Sequence, residues 1–282
     1  MPLDLVTPVL SSVFNAERRR LHLRRWGVGE KSCLLLHGYG DAGHIWHHFA
    51  TNYISSHRLY AIDFRGHGDS DWSPDGCYRS EDLVAEVLLV IEKLISGPVV
   101  IVGHSLGAEI ALEVARTLGP NKVPAVVVVD FGPDSPDEVE LQIVNNLRKY
   151  LRPFVTVEEF VDLLATDRPL VDRQLLRYFA RESLRFSDRG GFTLKLDPAL
   201  LDRVHSDFDS WQLFADVSVP ICLVRGLGSA VLSRSVAQRL AERFPNIELV
   251  CVVRSGHGVL LDNPAGFLAA TAPFLARTYN NW

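Results

Sequence analysis

Val99-Val-Ile-Val-Gly-His-Ser-Leu-Gly-Ala108 runs an unbroken apolar strand into a Gly-x-Ser-x-Gly turn, and Ile110-Ala-Leu-Glu-Val-Ala115 continues it as a helix. A side chain held at the tip of so sharp a strand-to-helix turn leaves its neighbours no room for a Cβ, and Gly103 and Gly107 supply that room. Ser105 is therefore expected to stand clear of the sheet. The first amides of the following helix, Leu106 above all, should point unpaired at the space in front of it.

On both sides of this stretch the chain alternates strand and helix. Upstream, Arg20-Leu-His-Leu-Arg-Arg-Trp26 alternates apolar and polar residues, the pattern of a half-exposed antiparallel strand at a sheet edge. Cys33-Leu-Leu-Leu36 reads as a short buried strand ending in His37-Gly-Tyr-Gly40, whose glycines let a backbone N–H, assigned to Tyr39, face the same space as that of Leu106. Trp46, Phe49, Tyr53 and Ile54 follow at helical spacing, then Arg58 to Asp63 forms a strand. Ser80 is expected to N-cap a helix from about Glu81 to Ile95. Downstream, Pro124 to Asp130, Pro220 to Arg225 and Ile247 to Val253 read as further strands, with a helix from Val236 to Phe244. Nearly continuous apolar strands alternating with helices predict an α/β fold: a mostly parallel twisted sheet with helices on both faces.

The alternation stops between Pro133 and Asp216. Val139, Ile143, Leu147 and Leu151 form one helical stripe, Thr156-Val-Glu-Glu159 is a capping box, and Leu175 and Phe179 mark a third helix. Asp188-Arg-Gly-Gly191 turns into the alternating Phe192, Leu194 and Leu196, and a last helical piece reaches Trp211 and Phe214. Helices inserted after a strand's C-terminal end lie over the ligand-binding edge of an open sheet. The expected organisation is a core of residues 1–132 and 217–282 with a helical lid insertion at 133–216. Its aromatics, Phe154, Phe160, Phe179, Phe186, Trp211 and Phe214, fit an apolar pocket or ordinary packing equally well.

With 282 residues, 47% of them hydrophobic, the chain can bury a large core as one domain with an insertion. A net charge of -5 and basic runs no longer than Arg18-Arg-Arg20 argue against a nucleic-acid surface. No stretch is long enough to span a bilayer, and the N-terminus, with Asp4 and only a short apolar patch from Val9 to Val13, does not read as a signal peptide. Cys33, Cys222 and Cys251 sit inside apolar strands as small hydrophobes, so no disulfides and a reducing, cytoplasmic setting are expected. His44, His47 and His48 have no carboxylate or thiol at ligand spacing and read as packing or solvated histidines. In the turn-rich loop Asp63-Phe-Arg-Gly-His-Gly-Asp-Ser70, Asp63 and Arg65 read as loop-fixing groups.

A serine hydroxyl is a poor nucleophile at neutral pH and needs an imidazole to take its proton and an acid to hold that imidazole's tautomer. His257, between Gly256 and Gly258 beyond the last strand, suits an imidazole reaching over the sheet edge. Ser105, Asp130 and His257 then occur in the order Ser, Asp, His. With His37-Gly-Tyr-Gly40, Gly103-His-Ser-Leu-Gly107, Gly256-His257, Asp262-Asn-Pro264, the Asp63 to Ser70 loop and Trp46, the chain resembles the α/β-hydrolase fold family along nearly its whole length. That family most often carries its acid in a turn after the seventh strand. Here the turn is Gly226-Leu-Gly-Ser-Ala230, where neither Ser229 nor Ala230 is a carboxylate. Some members, resembling haloalkane dehalogenases, place the acid at the end of the sixth strand, which Asp130 occupies. Asp262 and Glu109 are the weaker candidates.

The resemblance implies a serine hydrolase acting on a carboxylic ester, thioester or lactone of a small, largely apolar substrate through an acyl-enzyme on Ser105. His257 would be the general base and acid, Asp130 its orienting group, and the amides of Tyr39 and Leu106 the oxyanion hole. No metal or organic cofactor is called for, and the protein would be a monomer or homodimer. Two other readings remain open at this point: a carbon-carbon hydrolase acting on a diketone-type substrate, and a non-catalytic ligand-binding member of the fold.

Overall fold

The computed structural model describes residues 10–16, 19–202 and 208–280. Asp4 and Val9 of the N-terminal stretch and Arg18 of the basic run lie outside these described residues. In chain order the elements begin with β1 (Leu10–Ala16), β2 (Arg19–Trp26), β3 (Lys31–Leu36), α1 (His47–Thr51), β4 (His57–Ile62), α2 (Ser80–Leu94), β5 (Val99–His104), α3 (Leu106–Leu118) and β6 (Val126–Val129). The expected insertion holds α4 (Asp137–Tyr150), α5 (Val157–Asp167), α6 (Arg173–Ser183), the hairpin β7 (Leu184–Phe186) and β8 (Phe192–Leu194), and α7 (Ser210–Asp216). The chain then forms β9 (Ile221–Gly226), α8 (Arg234–Arg243), β10 (Ile247–Val252), α9 (Val259–Asp262) and α10 (Pro264–Asn280).

Eight strands make one sheet in the order β1-β2-β4-β3-β5-β6-β9-β10. Every pairing from β4 to β10 is parallel, and β1 and β2 add antiparallel at one side. Residues alternate between the two faces of a strand, so Leu34 and Leu36 of β3 enter one apolar layer with α2, α3 and α8, while Cys33 and Leu35 enter the other with α1, α9 and α10. Val99 to Val102 are completely buried. Each such side chain contributes about 1.5–3 kcal/mol relative to an exposed one, which is why β5 sits in the middle. The chain turns left from β3 to β4 and right from β3 to β5. Open α/β sheets bind ligands at such a reversal, above the strands' C-terminal ends.

Four local expectations are corrected. β2 is not the edge: β1 pairs outside it, and His22 and Arg24, expected to face solvent, are buried, held by Asp63 and Glu182. Ser80 is not a cap but the first, buried residue of α2; Arg79 holds the cap position without a side-chain bond, and Glu81 and Asp82 supply negative charge to the first turn. The Thr156 cap does form, accepting the N–H of Glu159, but Glu159 reaches back to the N–H of Val155 rather than of Thr156. Cys33 and Cys222 are buried, whereas Cys251 is exposed because β10 is the opposite edge of the sheet.

The helices α4 to α6 pack Leu147, Phe160, Leu164, Leu175 and Phe179, with Phe154 from the α4–α5 connection, into the apolar layer on the β3 face that carries Cys33. By contrast α7, within the same stretch of chain, sends Leu213 and Phe214 into the opposite layer beside α3. Among the described residues no helix is long and apolar enough to cross a membrane.

Candidate active site

The elbow is built by crowding. A Cβ on Gly103 would lie 2.2 Å from the carbonyl oxygen of Gly107, and one on Gly107 would lie 2.3 Å from that of Leu36, so both positions demand glycine. Pinned between them, Ser105 adopts φ 51° and ψ -120°, a conformation that costs an L-residue on the order of 1–3 kcal/mol. Its N–H donates to the carbonyl of Val129 on β6, and its own carbonyl accepts the N–H groups of Ala108 and Glu109 to start α3. Leu106, the first helical residue, has an N–H that no preceding turn can satisfy.

Across the β3–β5 gap, the His37 turn is oriented by its own histidine. His37 Nδ1–H donates to the carbonyl of Gly38 at 2.8 Å while Nε2 accepts the N–H of Phe64 at 2.9 Å, and the Asp41 N–H donates to the same Gly38 carbonyl. Because C=O and N–H of a trans peptide point in opposite directions, the Tyr39 N–H is aimed away from that group. A Cβ on Gly38 would lie 3.2 Å from Cβ of Ser105, so this backbone passes directly against the serine.

Asp130, beyond β6, is wholly buried and also at positive φ, 51°. Its Oδ2 accepts Nδ1–H of His257 at 2.8 Å, and its Oδ1 accepts the N–H of Gly226 at 3.0 Å. The Ser229 hydroxyl donates to Oδ2 as well. The turn after β9, which lacks a carboxylate, therefore holds the carboxylate of its neighbour. His257 keeps its side chain 26% exposed, and its ring lies 4.8 Å from that of His104, the residue before Ser105. Asp130 and His257 are thus paired at the C-terminal edge of β6 and β10, and Ser105, the chain neighbour of His104, lies at the end of the adjacent β5. Asp262 does not join the pair; it accepts the N–H of Gly256 at 2.8 Å and braces the histidine loop, and burial raises its pKa. Glu109 is buried in α3.

The sequence does not single out His104, Asp41 or Arg168, yet all three belong to this edge. His104 Nε2–H donates to the carbonyl of His257 at 2.9 Å, and burial, with the neighbouring His257 charge, pushes its pKa down to about 4. Burial works to raise Asp41, but Arg168 and the nearby histidines outweigh it and hold the carboxyl below its ordinary value. The position of His104 next to the elbow serine was a usable signal. Arg168 carried none, because its partner Asp41 lies 127 residues away.

Asp63 and Arg65 fix their loop as expected. Asp63 accepts the N–H groups of Gly43 and Asp69, and Arg65 pairs with Glu86 at 2.7 Å. His22, Asp63 and Asp69 approach closely enough to suggest a metal site, but the Asp63 oxygens already accept these amides and His22 Nδ1–H at 2.8 Å, so the donor set is spent on hydrogen bonds. His44, His47 and His48 are all buried and pack. Of the aromatics in 133–216, Phe154, Phe160, Phe179 and Phe214 are buried in packed clusters, whereas Phe186 is 71% exposed.

This arrangement of sheet, elbow and histidine loop is that of a hydrolase, and the chain belongs to the alpha/beta hydrolase family, whose sequence pattern matches residues 33–270. It is an α/β-hydrolase enzyme. Over 252 residues it is 30% identical to an esterase of Mycobacterium tuberculosis, covering 86% of this chain and 82% of that one. It is 26% identical over 282 residues to 2-(acetamidomethylene)succinate hydrolase of Mesorhizobium japonicum, covering 97% and 99%. The crystal structure of an E-2-(acetamidomethylene)succinate hydrolase superposes with a TM-score of 0.88 at 24% identity, over 95% of this chain and all of that one, which bears on the fold.

Proposed function

We propose that the protein hydrolyses a carboxylic ester, thioester or lactone through an acyl-enzyme on Ser105. The observation that carries this reading is the fully buried Asp130 gripping His257 Nδ1 beside a serine held in a strained turn at a helix N-terminus. Asp130 keeps the proton on Nδ1, leaving Nε2 free to accept one. Ser105 Oγ attacks the substrate carbonyl carbon as Nε2 takes its proton, and the oxyanion is held by the N–H groups of Leu106 and Tyr39. Collapse expels the alcohol or thiol, protonated by His257. Water then attacks the acyl carbon, again giving its proton to Nε2, and the acid leaves as Ser105 regains its hydrogen.

Relatives named esterase and lipase support the ester class. The carbon-carbon alternative requires a cation for an enolate. Arg168, the arginine of 133–216 that bonds the His37 turn, is already paired with Asp41, which weighs against it. In the same reading the part of 133–216 that runs from α4 to the β7–β8 hairpin acts as a lid over a small, largely apolar substrate, and α7 belongs to the layer beside α3. Covalent labelling with a fluorophosphonate, read by intact mass, tests the nucleophile: one adduct on wild type and none on Ser105→Ala supports it, and an unlabelled folded wild type overturns it. A panel of aryl esters beside a vinylogous diketone tests the reaction class.

A further inference from the structure

Arg168 closes the C-terminal end of α5, where its N–H caps Leu164, and it sends its guanidinium down onto the glycine turn that flanks Ser105. Nη2 donates to Asp41 Oδ1 at 3.2 Å, and the guanidinium lies 5.0 Å from the centre of the Phe179 ring on α6, so it is gripped by 133–216 on one side and by the core on the other. Asp41 closes its own turn through the Gly38 carbonyl. That turn lies against the His104 ring: a Cβ on Gly38 would fall 2.7 Å from Nδ1, so only glycine leaves the imidazole its place there. The opposite side of the same ring is bonded to His257, since a carbonyl only accepts and Nε2 must carry the proton. His104 Nδ1, 4.0 Å from Asp41 Oδ2, is buried without a hydrogen-bond partner among the described residues, so contact with the turn holds the ring on that side. The imidazole is therefore wedged between the Asp41 turn and the loop that carries His257.

We propose that Arg168, Asp41 and His104 are positioning residues that form one mechanical latch, through which the seating of residues 133–216 on the core sets the placement of His257 against Ser105. Nothing in the latch touches the reacting carbonyl, and it rests on the serine-hydrolase reading above. When Arg168 is engaged, the Asp41 turn is pressed home and His104 holds the His257 carbonyl. When it is released, that backbone anchor loosens, and the Asp130–His257 pair must keep its geometry unaided. The segment that admits substrate is thereby tied to the base that acts on it.

Fluorophosphonate labelling rates, with kcat and KM on an aryl ester, test the latch. His104→Leu should slow labelling and kcat about thirtyfold, and His104→Gln, whose amide N–H can still reach the His257 carbonyl, should return to within about fivefold of wild type. Arg168→Met and Asp41→Asn should each lower kcat about tenfold, with KM changed less than about threefold. In the His104→Leu background Arg168→Met should add less than about twofold, because the chain is already broken. Fully additive effects, a Gln variant no better than Leu, or an Arg168→Met protein labelled at the wild-type rate overturns the latch. Should His104→Leu not fold, Arg168→Met and Asp41→Asn still decide it. A wild type that takes no label overturns the hydrolase reading instead, which separates the two failures.

Discussion

Among the described residues two hydrogen-bonded Asp–His pairs, each with a serine in its neighbourhood, have acid ends that are nearly the same. In one, Asp63 binds His22 Nδ1 at 2.8 Å and also accepts two backbone N–H groups; in the other, Asp130 binds His257 Nδ1 at 2.8 Å and accepts one N–H and the Ser229 hydroxyl. Both carboxylates are completely buried. In the first set the Ser11 hydroxyl donates to His22 Nε2. The difference is at the serine. Ser11 sits in the regular backbone of an outer strand, with no helix N-terminus behind it, whereas Ser105 is forced into a rare conformation at the start of α3. An Asp–His pair can thus be ordinary scaffolding, and on the proposed serine-hydrolase reading the backbone under the serine decides whether it does chemistry.

The largest effect that tests this contrast is on the serines themselves. Ser105→Ala should lower kcat about 10⁶-fold, while Ser11→Ala should stay within about twofold and leave the label in place. A fluorophosphonate adduct mapped to Ser11 would break the comparison outright.

Next come the acids. Asp130→Asn should lower kcat about 10⁴-fold with little loss of stability, and a near-silent variant would return the acid role to Asp262. Asp63→Asn should do the reverse: about 3 kcal/mol less stable in urea unfolding, with kcat of the folded protein nearly unchanged.

Smaller effects sharpen the picture. Ser229→Ala removes one donor from Asp130 and should lower kcat about tenfold, since a hydrogen bond to a charged group is worth about 1.5–3 kcal/mol. Burial also holds His44 and His67 down to about 3 and His104 to about 4. The unfolded chain takes up these protons first, near pH 6.5, so stability should be level above that pH and fall as the pH drops toward 4. The slope should approach about 1.4 kcal/mol per pH unit for each histidine. Glu86 and Asp262, raised by burial, oppose part of it. Thermal unfolding from pH 7.5 to 4.5 reads the slope, and a flat profile would show these rings to be solvated.

Much of the candidate site is legible in the sequence because the patterns that mark it are local. Glycines flanking a serine, glycines flanking a histidine and apolar runs before each are patterns within a few residues, and they mark Ser105, His257 and the parallel strands. What escaped depends on distant partners. The alternation in β2 looked half-exposed because Asp63 and Glu182, which permit His22 and Arg24 to be buried, are far along the chain. β1 gives no clean strand pattern in the sequence, since an outermost strand leaves Leu10 and Val13 in solvent. Ser229 stands in the turn where the resemblance leads one to look for an acid, and only the adjacency of β6 and β9 reveals it as a hydrogen-bond donor to Asp130.

Ser105 and Asp130 share one more property: both are L-residues held at φ 51°. Such backbone persists only where the surrounding fold imposes it, and each instance costs on the order of 1–3 kcal/mol. Glycine at either position would relax the chain and, on the proposed serine-hydrolase reading, abolish the chemistry. On that reading thermal selection and catalytic selection pull these two codons in opposite directions. A lineage freed from the need to turn over substrate would be expected to gain heat resistance at the very positions where it lost its activity.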